Sequence, residues 1–185
     1  MRSDLVERAQ HGDRHAFDAL ATSLYHRLYA IGFRILRDGY TAEDAVQEAM
    51  IRAWRDLRSL RDPDKFEAWM HRLLVRACQD MVRRTRRFEA TVLPIDLERS
   101  DPTDDFALVA HRDEIERAFL GLSVDQRAVL VLTHYVGLPA PEVGRMLGIP
   151  TGTVYSRLHY ATRTMRKALA GGEPDERQPL PESGR

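Results

Sequence analysis

Apolar residues recur along this chain at intervals of three and four. A pattern of that period can be buried on one side of an α-helix and on no face of a strand. Phe17, Leu20, Leu24, Leu28, Ile31 and Ile35 form one such stripe. Val46, Met50, Ala53, Trp54 and Leu57 form a second, and Phe66, Trp69, Met70, Leu73, Ala77 and Met81 a third. Val154, Leu158, Ala161 and Met165 form a fourth, falling within about 60° of one another at 100° per residue. No segment shows a convincing strand alternation. The chain is therefore expected to be all-α, and the large aromatics Trp54 and Trp69 are expected in the core.

Breaker and capping residues divide the pattern. A first helix is expected from Asp4 to His11, stopping near Gly12. A second runs from about Arg14 to Arg37 and is broken at Asp38-Gly39-Tyr40. Thr41 is expected to cap a third helix, with acids in its first turn that suit the positive end of the helix dipole. Arg61-Asp62-Pro63-Asp64 reads as a loop, and a fourth helix runs from about Lys65 to Arg86. Residues 89–107 lose the period, contain Pro94 and Pro102, and read as a linker. Helices resume at about Ala107 to Leu120. Ser123 with Gln126 makes a capping box for a helix ending near Tyr135. Pro141 suits the first turn of a short helix, Gly148-Ile149-Pro150 is a turn, and a last helix runs from about Gly152 to Ala170. The expected organisation is a helical unit at 1–88, a linker at 89–107, a second helical unit at 108–170, and a polar tail without fixed structure at 171–185.

With 43% hydrophobic residues in 185, two small units can each bury a core. No apolar run approaches the ~18–20 residues that span a bilayer, and the N-terminus has no apolar stretch of signal-peptide length. Cys78 is the sole cysteine, which excludes an internal disulfide. These features predict a cytoplasmic protein with no membrane insertion.

Charge is neutral in total, with 28 Lys+Arg against 28 Asp+Glu, which by itself argues against a uniformly basic nucleic-acid binder. Counted by segment it is strongly divided. Asp38 to Ile51 carries four acids and no Lys or Arg. Arg72 to Arg87 carries six Arg and one acid, Asp80. Glu89 to Glu116 carries nine acids against Arg99 and Arg112, and Thr153 to Lys167 carries Arg157, Arg163, Arg166 and Lys167 with no acid. Such blocks create opposed local fields that the total conceals.

Pro141 to Lys167 has the helix–turn–helix layout of a DNA-binding module. Opposite its buried stripe, the last helix presents Ser156, His159, Tyr160 and Arg163, flanked by Tyr155 and Arg166. These side chains can bond base edges or phosphates, and none is acidic. Gly144 permits close approach of the preceding helix. In the N-terminal unit, Asp44, Gln47 and Glu48 form an outward acidic patch that suits a basic protein surface; a solvated face with a Glu48–Arg52 pair is the alternative. The Arg72–Arg87 helix, with Phe66, Trp69 and His71 nearby, suits single-stranded or melted DNA.

Two patterns together resemble a known family. Ala42-Glu43-Asp44-Ala45-Val46-Gln47-Glu48, Arg52-Ala53-Trp54, Phe66-Glu67-Ala68-Trp69, Asp80 and the Arg83–Arg87 cluster resemble region 2 of a bacterial RNA polymerase sigma factor. Leu122-Ser123-Val124-Asp125-Gln126-Arg127, Gly137-Leu138, Glu142-Val143, Leu147-Gly148-Ile149-Pro150, Gly152-Thr153-Val154 and Ser156-Arg157-Leu158-His159 resemble region 4. Two such regions on a short linker, without region 1.1 or region 3, resemble the extracytoplasmic-function (ECF) group of the sigma-70 family.

The resemblance implies an all-α, non-catalytic subunit that needs no cofactor. It would bind core RNA polymerase and direct promoter-specific initiation. Asp44, Gln47 and Glu48 would meet the polymerase β′ coiled coil. Asp62, Asp64, Lys65, Arg72, Arg76, Arg83, Arg84, Arg86 and Arg87 would hold melted −10 DNA. Region 4 would dock on the β flap and read the −35 element through Thr151, Thr153, Tyr155, Ser156, Arg157, His159, Tyr160 and Arg163. An anti-sigma factor is implied as a partner. Arg76 stands where the family often has Asn, Tyr155 where Lys is frequent, and Tyr160 where Arg is frequent; these departures bear on promoter sequence, not on fold. Pro139-Ala140-Pro141 likewise replaces a more usual Ser-containing cap. A helix-turn-helix regulator independent of polymerase would leave the Asp44 patch and the N-terminal basic helix unexplained. Metal chemistry would have to rest on His11/His15 or His71/Cys78, neither with a third ligand nearby in sequence.

Overall fold

The structure, a computed structural model, describes residues 2–91 and 115–169. Helix α1 (Arg2–Gln10), α2 (Arg14–Leu36), α3 (Gly39–Asp56) and α4 (Phe66–Thr91) make the N-terminal unit. A helical segment α5 at 115–120, then α6 (Val124–Leu130), α7 (Ala140–Leu147) and α8 (Thr151–Leu169), make the C-terminal unit. Among the described residues there is no strand, as the period required.

The N-terminal core is the meeting of three stripes. All six predicted α2 positions, Phe17 through Ile35, are buried. They pack on Val46 and Ala53 of α3 and on Phe66, Trp69, Met70, Leu73 and Ala77 of α4. Helix α3 also buries Ala42, Ala45 and Ala49, small side chains that let its backbone lie close to α2. Helix α4 buries a wider face than its stripe, adding His71, Leu74, Val75 and Cys78. Trp54 departs from expectation. It remains 39% exposed, with only a ring edge against Phe17 at 5.0 Å between centroids. Ala53 continues the buried row of Ala42, Ala45 and Ala49 at helical spacing, which turns its neighbour Trp54 outward.

The helix ends follow capping chemistry, with one correction. Asp13 caps α2 by accepting from the Ala16 amide at 3.1 Å. At the other end Arg37 takes the left-handed conformation (φ 63°), and its amide donates to the Phe33 carbonyl at 2.7 Å. The cap of α3 is Asp38, not Thr41. Its carboxylate accepts from the Thr41 amide at 2.8 Å and from the Thr41 hydroxyl, and a carboxylate outcompetes a hydroxyl as acceptor for helix-end amides. The helix therefore begins at Gly39, and its first turn holds no acid. The Arg61–Asp64 loop contains a short 3-10 turn, Pro63–Lys65, capped by Asp62. A second 3-10 turn, Leu57–Ser59, ends α3. Helix α4 runs to Thr91, past the expected linker boundary at 89. The remainder of that linker and the 171–185 tail lie outside the described residues.

In the C-terminal unit the Ser123–Gln126 capping box is present in both directions, at 3.2 and 2.9 Å. Helix α6 passes into a π-helical turn over Val131–Tyr135. Gly148 adopts φ 69° and closes α7. At Gly144 a Cβ would lie 2.9 Å from the Ile149 carbonyl and 3.5 Å from the Thr151 amide. Glycine there is what lets the turn fold back on α7. Val154 and Ala161 are fully buried under α8, with Leu158 packed against the same core.

Candidate nucleic-acid interface

The end of α3, the loop after it and the first half of α4 enclose a cleft of about 420 Å³. It is lined by Arg55, Asp56, Arg58, Ser59, Trp69, Arg72, Leu73 and Arg76. Arg72 and Arg76 were expected at such a surface; Arg55 and Arg58 were not. A signal for them exists. Arg52, Arg55, Arg58 and Arg61 recur every third residue, but Asp56 and Asp62 among them dilute any count of charge by block. Of the aromatics expected beside these arginines, Phe66 and His71 are buried and Trp69 is 7% exposed. Of the three only Trp69 lines the cleft, and none offers a free ring face for stacking.

The other expected −10 residues lie partly in the loop before α4 and partly along α4. Lys65 pairs with Asp62 at 2.8 Å, which draws the Asp62 carboxyl below the usual carboxylate range. Asp62 also caps the 3-10 turn through the Asp64 amide at 3.1 Å, and Asp64 is engaged by the Ser3 hydroxyl. The two acids thus shape the loop. Arg83 and Arg84 are exposed on α4, with Arg83 at 3.7 Å from Asp80. Arg87 is exposed as well, and the Arg86 side chain lies outside the described residues.

The acidic patch on α3 is sorted the same way. Asp44 and Gln47 are exposed. Glu48 is half-buried and accepts from Arg52 at 2.7 Å, while Arg52 reaches Asp80 of α4 at 3.0 Å. The Glu48–Arg52 pair therefore exists and belongs to a bridge between α3 and α4. Asp44 and Arg55 are eleven residues apart, which places them on nearly the same stripe of α3 but about 16 Å apart along its axis. One helix carries an acidic end and a basic end.

On α8, Tyr155, Ser156, His159, Tyr160 and Arg163 are exposed, as a groove-reading face requires. The Ser156 hydroxyl donates to the Thr153 carbonyl at 3.0 Å and keeps its lone pairs outward. Thr151 and Thr153 are half-buried. Arg157 is held by Asp125 of α6 at 2.9 Å, so its guanidinium is committed to the capping-box helix.

The two units touch. Arg34 lies over the Tyr135 ring at 4.0 Å, Arg37 pairs with Glu116, and Gln79 donates to Asp125 at 3.0 Å. Leu147 of α7 closes a second cleft, lined also by Arg52, Arg76, Gln79, Asp80 and Arg83. Sequence periodicity carries no information on such contacts, because they join polar faces.

Cys78 is buried, and burial pushes its thiol up to about 12, far from a reactive thiolate. Among the described residues no His, Cys, Asp or Glu cluster could hold a metal, and no helix is long and apolar enough to cross a membrane.

Comparison with known proteins shows the family of the chain. The sigma-70 region 2 family matches residues 20–88, and the sigma-70 region 4 family matches residues 112–165. The chain is 34% identical over 170 residues to ECF RNA polymerase sigma factor SigM of Mycobacterium tuberculosis, covering 91% of this chain and 85% of that protein. It is 33% identical over 179 residues to the RNA polymerase sigma-H factor of Pseudomonas aeruginosa, covering 89% and 92%. In fold it matches CnrH, solved in complex with the cytosolic domain of CnrY, with TM-score 0.63, 24% identity and coverage of 93% and 99%. It matches the sigma factor RpoE of Bartonella quintana, solved with the anti-sigma factor NepR, with TM-score 0.63, 20% identity and coverage of 83% and 96%.

Proposed function

The chain belongs to the sigma-70 family, in its ECF group, and directs transcription initiation by RNA polymerase; from that premise we propose how its surfaces divide the work. The exposed acidic end of α3, Asp44 and Gln47 foremost, docks on the β′ coiled coil of core polymerase. The arginine cleft with Arg72 and Arg76, continued by Arg83, Arg84, Arg86 and Arg87, receives the −10 strand as it melts. The outer face of α8 reads the −35 element while the unit rests on the β flap. The factor works in the cytoplasm as a binding subunit without chemistry of its own, and an anti-sigma factor restrains it.

One observation supports this reading above others. A single two-helix scaffold carries an acidic protein-binding end and an arginine-lined cleft about 16 Å apart. A subunit that must hold an enzyme with one surface and melted DNA with another requires that pairing. A cleft of about 420 Å³ has room for an unstacked base, and four arginines around it offer forked donors to phosphate or base edges.

Reconstitution with bacterial core polymerase tests the reading. The holoenzyme initiates at specific promoters, and Asp44→Arg lowers core affinity. Neutralising Arg83 and Arg84 impairs opening of duplex promoters more than use of a pre-melted template, if they act in strand separation. Equal impairment on both would assign them to phosphate anchoring alone. No specific initiation, with core binding indifferent to Asp44→Arg, would refute the assignment.

A further inference from the structure

Helix α1 lies outside the part of the chain that matches region 2, which begins at residue 20. It is nonetheless tied to both ends of the loop between α3 and α4. At its C-terminal end the Gln10 amide Nε2 donates to two loop carbonyls, Leu57 O at 3.1 Å and Leu60 O at 2.6 Å. In return Arg58 Nε donates to the Gln10 carbonyl at 3.2 Å. At its N-terminal end the Ser3 hydroxyl bonds Asp64, and Arg2 reaches Glu67 at 2.6 Å. Arg27 of α2 joins the same Glu67 carboxylate. Val6 and Ala9 fasten the helix to the core between these ends. With nine residues, α1 is about 13 Å long, a rigid bar laid across the loop.

Within the loop itself the Asp62 cap, its pair with Lys65 and the buried Leu57 side chain supply the other fixed points. The loop consists of two 3-10 turns joined by Leu60-Arg61-Asp62. The Leu57 and Leu60 carbonyls bound by Gln10 bracket Arg58 and Ser59, and both of those line the cleft. Gln10 thus fixes the backbone on either side of two cleft residues. Its own carbonyl aims the Arg58 guanidinium. Gln10 is half-buried and far in sequence from the basic helix, so no charge or motif pattern points to it.

We propose that Gln10 is a positioning residue for capture of the unpaired −10 strand, acting through the Leu57–Leu60 turn that carries Arg58 and Ser59 into the cleft. The proposal rests on reading that cleft as the seat of melted DNA. Gln10 touches no nucleic acid itself. The requirement is for an N–H donor of sufficient reach, since one group bridges two loop carbonyls at once. Glutamate has the shape without the donors and turns attraction to repulsion. Lysine has three donors on a longer stem.

The test uses holoenzyme reconstituted with bacterial core polymerase. The probes are a fork-junction DNA with an unpaired −10 strand, taken from a promoter the wild-type holoenzyme uses, and a duplex −35 fragment. Gln10→Glu weakens fork binding about tenfold, while core affinity and −35 binding stay at wild-type level. Gln10→Lys restores fork binding to within about twofold, a rescue that loss of general packing would not allow. Ser3→Ala, which removes one exposed hydroxyl from the other end of the bar, weakens fork binding severalfold and tests the same idea should Gln10→Glu fold poorly. Wild-type fork binding by both Gln10→Glu and Ser3→Ala, or equal defects in Gln10→Glu and Gln10→Lys, overturns the proposal. An Arg72→Ala/Arg76→Ala control separates the two layers. If it too leaves fork binding intact, the cleft reading itself falls.

Discussion

Arg37 reaches from the end of α2 to Glu116 of α5 and joins the two units of the chain. It is 11% exposed, lies at 5.3 Å over the Phe33 ring and 5.8 Å over the Phe119 ring, and sits in left-handed backbone. With the Arg34–Tyr135 contact it holds α7 against the arginine face of α4. Promoter elements centred about 25 base pairs apart lie on the order of 85 Å apart along B-form DNA. On the proposed division of the two elements between the units, the closed arrangement cannot serve both at once, and engagement with a promoter would part the units. Arg37→Gly removes the guanidinium while favouring the left-handed cap. We expect it to widen the distance between fluorophores placed on α2 and α8 of the free protein, without lowering its melting temperature. An unchanged distance would show that other contacts suffice to keep the units closed.

Asp44, Gln47 and Glu48 resemble one patch in sequence and are unequal in structure. Glu48 is already occupied by Arg52, which also serves Asp80. Asp44→Arg and Gln47→Ala should lower core polymerase affinity with stability unchanged. Glu48→Ala should act mainly on stability, by about 0.5–1 kcal/mol as a partly exposed pair allows. Paired titrations of core binding and thermal unfolding separate these. A core defect for Glu48→Ala as large as that for Asp44→Arg would contradict the sorting.

Much of this architecture was legible in the residues. The stripe from Phe17 to Ile35, the Ser123–Gln126 capping box and the close approach at Gly144 all follow from local rules, and local rules are what sequence expresses. The misses have a common cause. Trp54 and Asp38 depart from expectation because a competing partner decides their state: the alanine seam of α3 for one, the Thr41 amide and hydroxyl for the other. Gln10 and Arg58 matter through contacts that span 47–50 residues and leave no period to read. For Arg55 and Arg58 the recurrence of arginine at every third residue is the one local sign.

On the proposed −35 reading, the α8 face would separate specifying from anchoring side chains. Tyr155, His159 and Tyr160 present flat, amphipathic groups, whereas Arg163 presents a permanent charge. Tyr155→Ala should change which −35 sequences are preferred, by about 1–3 kcal/mol at the affected base pair. Arg163→Ala should weaken all sequences alike and reduce the salt slope of binding by about one. Selection from a randomised −35 library, repeated at two salt concentrations, measures both. A sequence-neutral effect of Tyr155→Ala would assign it to the backbone instead.

His71 gives the fold a dependence on pH. Its ring is 2% exposed, and neither nitrogen has a hydrogen-bond partner. Burial lowers its pKa, opposed by Glu67 and assisted by Arg27. The unfolded chain therefore binds a proton near pH 6.5 that the folded chain refuses until lower pH. The neutral ring's contribution is fully present above about pH 6.5 and is lost as pH falls through the folded pKa, at up to about 1.4 kcal/mol per pH unit. The depressed carboxyl of Asp38 acts in a separate window, below about pH 4. The melting temperature of the wild type should fall as pH drops below about 6.5, and His71→Leu should flatten that slope while leaving the fall below pH 4 in place. Parallel profiles for the two proteins would mean that the proton enters elsewhere.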